Sequence, residues 1–267
     1  MITVLIVNYN TADFIKVSLY ALYKLTKNPY LVYILDNNSS EKDFNNLKKI
    51  SKVFSNVGLE RVTSDRKGSA AHGSALNILI KKVKTPYFCI LDSDAVWLKK
   101  NWDEILINKI NNSVKVIGTE APPGSMVKSN FPTIYAIFFE TKTFFDLKID
   151  CRPKNIYTQQ DVCYQLADLY HKKNYGSKLI SYKNTREFRD GPFHNVICME
   201  YYLYGHSHIF ASHFSRGADS THSKYLKGSS FINALPFIGT FLRKIKFNQE
   251  KNKWIETSYQ VINEQIS

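Results

Sequence analysis

The sequence contains few cysteines, glycines and prolines for its length. Its 267 residues include four cysteines, 11 glycines and eight prolines. This composition excludes a collagen-like chain and a small disulfide-rich scaffold. The cysteines show no CxxC spacing, and Cys89 and Cys163 lie in apolar patterns where we expect free thiols packed as small hydrophobes. Free thiols fit a reducing cytosol.

Long apolar segments are also missing. Neither the apolar start, residues 1–7, nor the apolar stretch 231–242 is long enough to cross a bilayer. The start has no basic leader of the kind that signal peptides carry, so we expect it to form the first strand of the fold. Pro236 and Gly239 interrupt the second stretch.

The chain is rich in positive charge. Its formal net charge is +13, while 44% of its residues are hydrophobic and 22% are charged. The hydrophobic content predicts an ordered globular protein. The charge favours anionic partners such as nucleotide phosphates, nucleic acid or an acidic membrane surface, although a merely lysine-rich composition remains an alternative.

The first half of the chain alternates strand and helix patterns. Apolar, β-rich runs at residues 3–7, 31–35, 87–91 and 114–117 are separated by amphipathic helical segments. This alternation predicts βαβ units, and therefore an α/β fold with a mostly parallel central sheet flanked by helices. The second half is less regular, with a helical pattern over 159–171 and a loop rich in Pro, Gly and Ser over 121–132.

Polar side chains follow the ends of several predicted strands. These are Asn8-Tyr9-Asn10, Asp36, Asp65 and the pair Asp92 and Asp94. Ligands of open α/β sheets bind outside the carboxyl ends of the strands, so these clusters predict one binding rim. Two carboxylates two residues apart offer hard oxygen ligands to Mg²⁺ or Mn²⁺, although Asp-x-Asp is a weak motif by itself.

In this order, the motifs resemble those of the family 2 glycosyltransferases of the GT-A fold. These enzymes move a sugar from a nucleotide donor to an acceptor with inversion. The matching segments are Val4–Asn10, Leu35–Ser40, Arg66–Ala71 before a helix ending in Asn77, Leu91–Ala95 and Trp102. The resemblance covers about residues 1–170 and implies a GT-A catalytic domain, residues 1–222, with its nucleotide-binding half at 1–118 and its acceptor half at 119–222.

The resemblance also implies roles for the residues at the predicted rim. The residues that would bind the nucleotide are Asn8, Tyr9, Asn10, Asp36, Asp65, Arg66, Gly68, Asp92 and Ser93. Most of them also have a simpler interpretation. Asp36 could start an Asx-turn, Gly68 could simply begin a helix, and Asp65 with Arg66 could form a solvated charge cluster.

The metal is expected to be Mn²⁺ or Mg²⁺. Asp94 would bind it, and the resemblance adds a histidine from the end of the catalytic domain, His213 or alternatively His208. Arg216 would bind the diphosphate, because its planar fork suits phosphate. Another histidine, His72, shares a helix face with apolar residues and is expected to be packed rather than to bind metal.

Inversion requires one general base, which the family supplies from an acid at the start of a helix past the acceptor strand. The sequence Thr158–Cys163 offers Asp161 at this place, with Gln160 where a second acid is more usual. The alternative is that Asp161 only stabilises the helix N-terminus through the macrodipole.

The last segment, residues 223–267, is predicted to be a basic and apolar extension. Its apolar residues 231–242 precede Arg243, Lys244 and Lys246, so 231–246 could lie on an anionic membrane surface. A helix packed on the catalytic domain explains the pattern equally well.

The sequence therefore predicts a metal-dependent inverting glycosyltransferase. Its partners would be a nucleotide-diphosphate sugar and a saccharide, lipid-linked or protein acceptor. The expected location is cytoplasmic, or peripheral on the inner face of the membrane, with no nucleic acid partner because Lys and Arg are widely spread. The alternative is a non-catalytic, basic nucleic-acid or membrane-binding module. A dehydrogenase is excluded, since GxGxxG is absent after the first strand.

Overall fold

A computed structural model describes residues 1–63, 66–123, 130–154, 160–203, 207–218 and 236–267. Strands and helices alternate in the first half as predicted. The strands are β1 (Ile2–Asn8), β2 (Tyr30–Asn37), β3 (Val57–Val62), β4 (Tyr87–Leu91), β5 (Ala95–Trp97), β6 (Val114–Thr119), β7 (Ala136–Glu140), β8 (Gly176–Asn184), β9 (Met199–Tyr202) and β10 (Ala211–His213). The helices are α1 (Ala12–Leu25), α2 (Glu41–Ser51), α3 (Gly68–Ile80), α4 (Trp102–Ile107), α5 (Thr141–Asp146), α6 (Leu166–Lys172) and α7 (Pro236–Glu264).

The described strands form one mixed sheet in the order β3-β2-β1-β4-β7-β6-β8-β9-β10-β5. The four strands β3, β2, β1 and β4 pair in parallel, whereas β7 is antiparallel to both of its neighbours. Antiparallel pairs also join β8 to β9, β9 to β10 and β10 to β5. β6 and β8 pair in parallel. The predicted parallel pairing is therefore confirmed for the first half, whereas the second half mixes parallel and antiparallel pairs. Residues 203–210, between β9 and β10, are too few for the crossover that a parallel pair requires.

The helix predicted over 159–171 is shorter than expected. It begins at Leu166, because Cys163 has a φ of 55°, which a right-handed helix does not accommodate. The expectation that Cys163 is a free thiol is also wrong, since it is paired with Cys151 in a disulfide. Cys89 and Cys198 are free and buried.

The core lies on both faces of the sheet. All seven residues of β1 are buried, as expected for a central strand covered on both sides. One face packs against α1 and α7, and the other packs against α3. The carboxyl ends of β1, β2 and β4 therefore open at one edge, between the N-termini of α1 and α3.

The C-terminal helix α7 packs on the rest of the fold. Trp254 is completely buried, and its indole Nε1 donates a hydrogen bond to the Ser212 hydroxyl at 2.9 Å. Its ring contacts Phe14 of α1 and Phe214, with centroid separations of 5.5 and 6.1 Å. The predicted boundary between residues 222 and 223 lies outside the described residues. Among the helices described, none is long and apolar enough to cross a membrane.

Trp254 should therefore contribute strongly to stability. We expect Trp254→Ala to lower the free energy of unfolding by ~3–5 kcal/mol, because it leaves a large cavity and removes the hydrogen bond that the indole donates to Ser212. Phe241→Ala is the control on the same helix: its side chain is 64% exposed, so a change within ~0.5 kcal/mol is expected. Denaturant unfolding of both variants measures this, and equal effects would contradict the packing of α7.

Candidate functional site

The predicted rim residues divide into buried supports and residues that line a cleft. Asn8 is buried, and its amide donates hydrogen bonds to Asp36 at 2.7 Å and Asp43 at 2.9 Å. Asp36 is also buried and lies 3.1 Å from the guanidinium of Arg61. These contacts join the ends of β1 and β2. The side-chain oxygen of Asn10 accepts a hydrogen bond from the backbone amide of Ser40, which follows β2.

The cleft itself has a volume of about 1110 Å³ and opens above the ends of β1 and β4. The predicted residues that line it are Tyr9, Arg66, Gly68, Asp92, Ser93, Asp94, Asp161, His213 and Arg216. Asn8 and Asp36 are buried behind this surface, and Asn10 is exposed but lies outside the cleft lining. His208 is exposed and outside the lining, and Asp65 falls outside the described residues.

Three side chains in the cleft can hold a metal ion together. One ligand atom each from Asp92, Asp94 and His213 lie within 4.8 Å of one another. His213 Nε2 is 3.1 Å from Asp94 Oδ1 and 3.7 Å from Asp92 Oδ2. Carboxylate oxygens suit Mg²⁺ and Mn²⁺, and an imidazole nitrogen favours the softer of the two. The donor set therefore fits the predicted cation, and it includes Asp92 in addition to Asp94.

The loop after β10 fixes the carboxylate of Asp94. The backbone amides of Arg216 and Gly217 donate to Asp94 Oδ2 at 3.0 and 2.8 Å. Burial alone would raise the pKa of Asp94, but His213 and these two donors lower it to about 2. A Cβ at Gly217 would lie 2.7 Å from Asp94 Cβ, so this close approach requires glycine.

The two other members of the cluster titrate in the opposite direction. Burial raises the pKa of Asp92 to about 8, against the opposing effect of His213. Burial would lower the pKa of His213, but Asp94 outweighs it and raises that pKa. A bound metal requires ionised carboxylates and a neutral imidazole. Metal binding should therefore release protons and become tighter as the pH rises.

Asp161 lines the same cleft as the metal cluster. Its Oδ1 accepts hydrogen bonds from the Ser69 hydroxyl at 2.8 Å and from the backbone amide of Val162 at 2.7 Å. Because α6 begins only at Leu166, Asp161 does not sit at its N-terminus. The interpretation of Asp161 as a simple macrodipole partner is therefore wrong.

Sequence reasoning missed three contributors to the cleft. His72 was expected to be packed, but it lines the cleft with Nε2 3.9 Å from Asp92 Oδ1, and burial lowers its pKa. Ser69, which donates a hydrogen bond to Asp161, was also missed. The spacing of Ser69 and His72 could have revealed both residues, since positions three apart share a helix face. Tyr135 has no comparable signal, because strand pairing places it. Its carbonyl accepts from the Asp92 amide at 2.8 Å, and its ring centroid is 4.3 Å from that of His213.

The family comparison agrees with this architecture. The glycosyl transferase family 2 model matches residues 3–182, so the chain belongs to that family. No curated protein gave a match.

Solved structures with the same fold include the following two. One is the mannosyltransferase PcManGT from Pyrobaculum calidifontis, in complex with GDP-Man and Mn²⁺, with a TM-score of 0.52 and 16% identity over 67% of this chain and 54% of that one. The other is TarS of S. aureus, with a TM-score of 0.50 and 16% identity over 67% of this chain and 35% of that one. The aligned part thus spans about half of the first protein and a third of the second. The fold is GT-A, as predicted.

The metal cluster can be tested by substituting each of the two histidines that the sequence offered as ligands. We expect His213→Ala to weaken Mn²⁺ binding by about 10-fold or more, because it removes a buried nitrogen ligand. His208→Ala should leave the affinity unchanged, since its side chain is exposed and lies outside the cleft lining. Isothermal titration with MnCl₂ measures both. Equal losses, or a loss only in the His208 variant, would contradict the assignment.

Proposed function

We propose that the protein is a metal-dependent, inverting glycosyltransferase that uses a nucleotide-diphosphate sugar. The observation that carries this proposal is one cleft containing the Asp92, Asp94 and His213 cluster and, separately, the carboxylate of Asp161. The cluster would bind the cation that accompanies the leaving diphosphate, and the carboxylate of Asp161 would accept a proton as a general base. A protein that only bound membranes or nucleic acid would gain nothing from burying Asp94 against His213.

The nucleotide would occupy the part of the cleft near β1 and α3. Tyr9 is half exposed there and offers a ring face, while Asn37 and Asn38 line the adjoining end of β2. Gly68, at the start of α3, has a φ of 55° and nothing within 4 Å of an added Cβ, so backbone can approach a ligand at that point. Asn8 and Asp36 would act indirectly, by holding the ends of β1 and β2 together.

The diphosphate would lie between the metal cluster and Arg216. This arginine is 7% exposed, lines the cleft and stacks on Phe214 at 4.4 Å, so its guanidinium is already oriented. Arg66 lines the same cleft and would supply further positive charge. A bound Mn²⁺ or Mg²⁺ would offset the charge that develops on the departing diphosphate. His213 and Asp94 would hold that cation in a fixed place.

Asp161 would act as the general base for the acceptor hydroxyl. Inversion requires the base on the side of the sugar opposite the leaving phosphate. Asp161 meets the cleft from the segment before α6, whereas the metal cluster is formed by the β4–β5 turn and β10. The hydrogen bond from Ser69 would fix which carboxylate oxygen faces the acceptor.

The proposal identifies the donor and the acceptor only by chemical class. The similarity to a GDP-Man complex containing Mn²⁺ makes GDP-Man and Mn²⁺ the first pair to test. The acceptor would be a saccharide, a lipid-linked sugar or a protein.

Removing the base should separate chemistry from binding. We expect Asp161→Asn to lower the transfer rate by ~10²–10⁴-fold while nucleotide and Mn²⁺ binding persist. Asp94→Asn should abolish Mn²⁺ binding as well. Asp190→Asn is the control, because Asp190 is exposed and lies outside the cleft lining. A panel of nucleotide sugars with Mn²⁺ measures donor hydrolysis and transfer. Unchanged turnover in Asp161→Asn would overturn its role, and absence of nucleotide binding would favour a non-catalytic module.

The first turns of α7 would bind an anionic membrane surface. Phe241 and Ile245 are one turn apart and are 64% and 38% exposed. Lys244 and Lys246 are adjacent to them along the helix. Exposed apolar side chains next to lysines suit an anionic lipid surface, and a lipid-linked acceptor would be reached there. The later turns of α7 pack on the core through Trp254.

This membrane role can be tested without removing the helix. We expect wild-type protein to float with phosphatidylserine vesicles at low salt and to be released at high salt. Phe241→Ser combined with Ile245→Ser should prevent flotation. Ile266→Ser is the matched control, because Ile266 is 39% exposed but lies at the far end of the chain. Flotation that survives the double substitution would contradict the proposal.

A further inference from the structure

The disulfide between Cys151 and Cys163 has no role in the proposed reaction, yet it lies two residues from Asp161. Both cysteines are buried, with 0% and 3% of their surface exposed. Their Cα atoms are 3.8 Å apart, which is closer than in most disulfides. The backbone amide of Cys163 also donates to the carbonyl of Cys151 at 2.9 Å. Two independent links therefore join these positions.

One end of this link is anchored to α3. Asn77 accepts a hydrogen bond from the Cys151 amide at 3.0 Å and donates one to Asp150 at 2.7 Å. The backbone of Cys151 also touches α3 directly, since a Cβ at Gly73 would lie 2.3 Å from the Cys151 carbonyl oxygen. The segment around Cys151 is thus fixed on α3, the helix whose first turn carries Ser69.

The other end of the link leads to Asp161. Cys163 adopts a positive φ of 55°, a conformation that costs energy in a residue other than glycine and persists only when its surroundings impose it. From there the chain runs back through Val162, which is buried, to Asp161. Ser69 of α3 holds the Asp161 carboxylate directly. Asp161 is therefore held to one helix from two sides, by a hydrogen bond and by a covalent link two residues away.

We propose that Cys151 and Cys163 are a positioning pair: their disulfide holds Asp161 at the reacting position of the cleft. The role of Asp161 rests on the proposed function, whereas the link and its mechanical effect do not. Because both sulfur atoms are buried, the disulfide acts as a permanent brace that resists mild reductants in the folded protein.

Formation of the brace requires an oxidant. A small-molecule or protein disulfide accepts two electrons by thiol–disulfide exchange. The Cys151 thiolate attacks it to form a mixed disulfide and release one thiol, and the Cys163 thiolate then displaces the second thiol. The two cysteines are oxidised, the donor disulfide is reduced to two thiols, and the two protons pass to those thiols. The exchange must occur before both cysteines are buried.

The first measurement asks whether the brace exists. Protein refolded with oxidised glutathione is denatured and alkylated with or without prior reduction, and its intact mass is measured. We expect two alkylated cysteines without reduction and four with it, since Cys89 and Cys198 are free. Four alkylated cysteines in the unreduced sample would overturn the proposal.

The second measurement asks what the brace does. Wild-type protein refolded with and without reductant is compared with Cys151→Ala, and Cys89→Ala serves as the control for loss of another buried cysteine. Without the brace, we expect faster amide hydrogen exchange over residues 160–163 and a fall in kcat of up to about 10²-fold. Binding of GDP with Mn²⁺ should stay unchanged, which a general loss of structure would not allow.

The outcomes separate this proposal from the proposed function. Equal exchange in braced and unbraced protein overturns the brace, whatever the activity. If exchange changes but no nucleotide sugar is turned over in any form, the brace stands and the transferase assignment fails. Ser69→Ala adds a further check: if Ser69 and the brace position the same carboxylate, their effects on kcat are non-additive. Additive effects would show that the disulfide acts elsewhere.

Discussion

The contact between Asp94 and His213 is the interaction on which the site depends. Asp94 belongs to the turn between β4 and β5, at the end of the parallel strands, whereas His213 ends β10 in the antiparallel part. Two backbone amides from the loop after β10 close on the same carboxylate. A buried carboxylate is costly unless it is paired and hydrogen bonded, so the two parts of the sheet must meet at this point.

Charge is arranged in the cleft against the character of the chain as a whole. The protein is strongly basic, yet the cleft gathers Asp92, Asp94 and Asp161 within reach of His213 and Arg216. A net positive charge of +13 would attract anionic molecules from a distance. The carboxylates of the cluster alone would repel an anion, and a cation bound between them would remove that repulsion. In the proposed reaction, the net charge would therefore favour the nucleotide donor, and the acidic cluster would favour its cation.

The parallel strands and the polar residues at their ends could be predicted from the sequence, because short runs of consecutive residues determine buried strands and the turns that follow them. The structure of the second half could not be predicted in the same way, for physical reasons. The antiparallel pairs depend on connection length, and α6 starts late because of the backbone at Cys163. Tyr135 enters the cleft through pairing of β4 with β7, which no local pattern encodes. Asn8 and Asp36 were found at the right edge, but they satisfy each other behind the cleft surface.

The hydrogen bond from Trp254 to Ser212 has a consequence for the order in which the molecule can be made. Ser212 precedes His213, so the far end of the chain supports the strand that completes the metal cluster. A ribosome releases the β1–β4 strands long before Trp254, and domains begin to fold during synthesis. Before α7 is made, Ser212 and the strand that carries His213 lack this support. The side chains of Asp92, Asp94 and His213 are therefore held in their final arrangement only after α7 has been synthesised and packed.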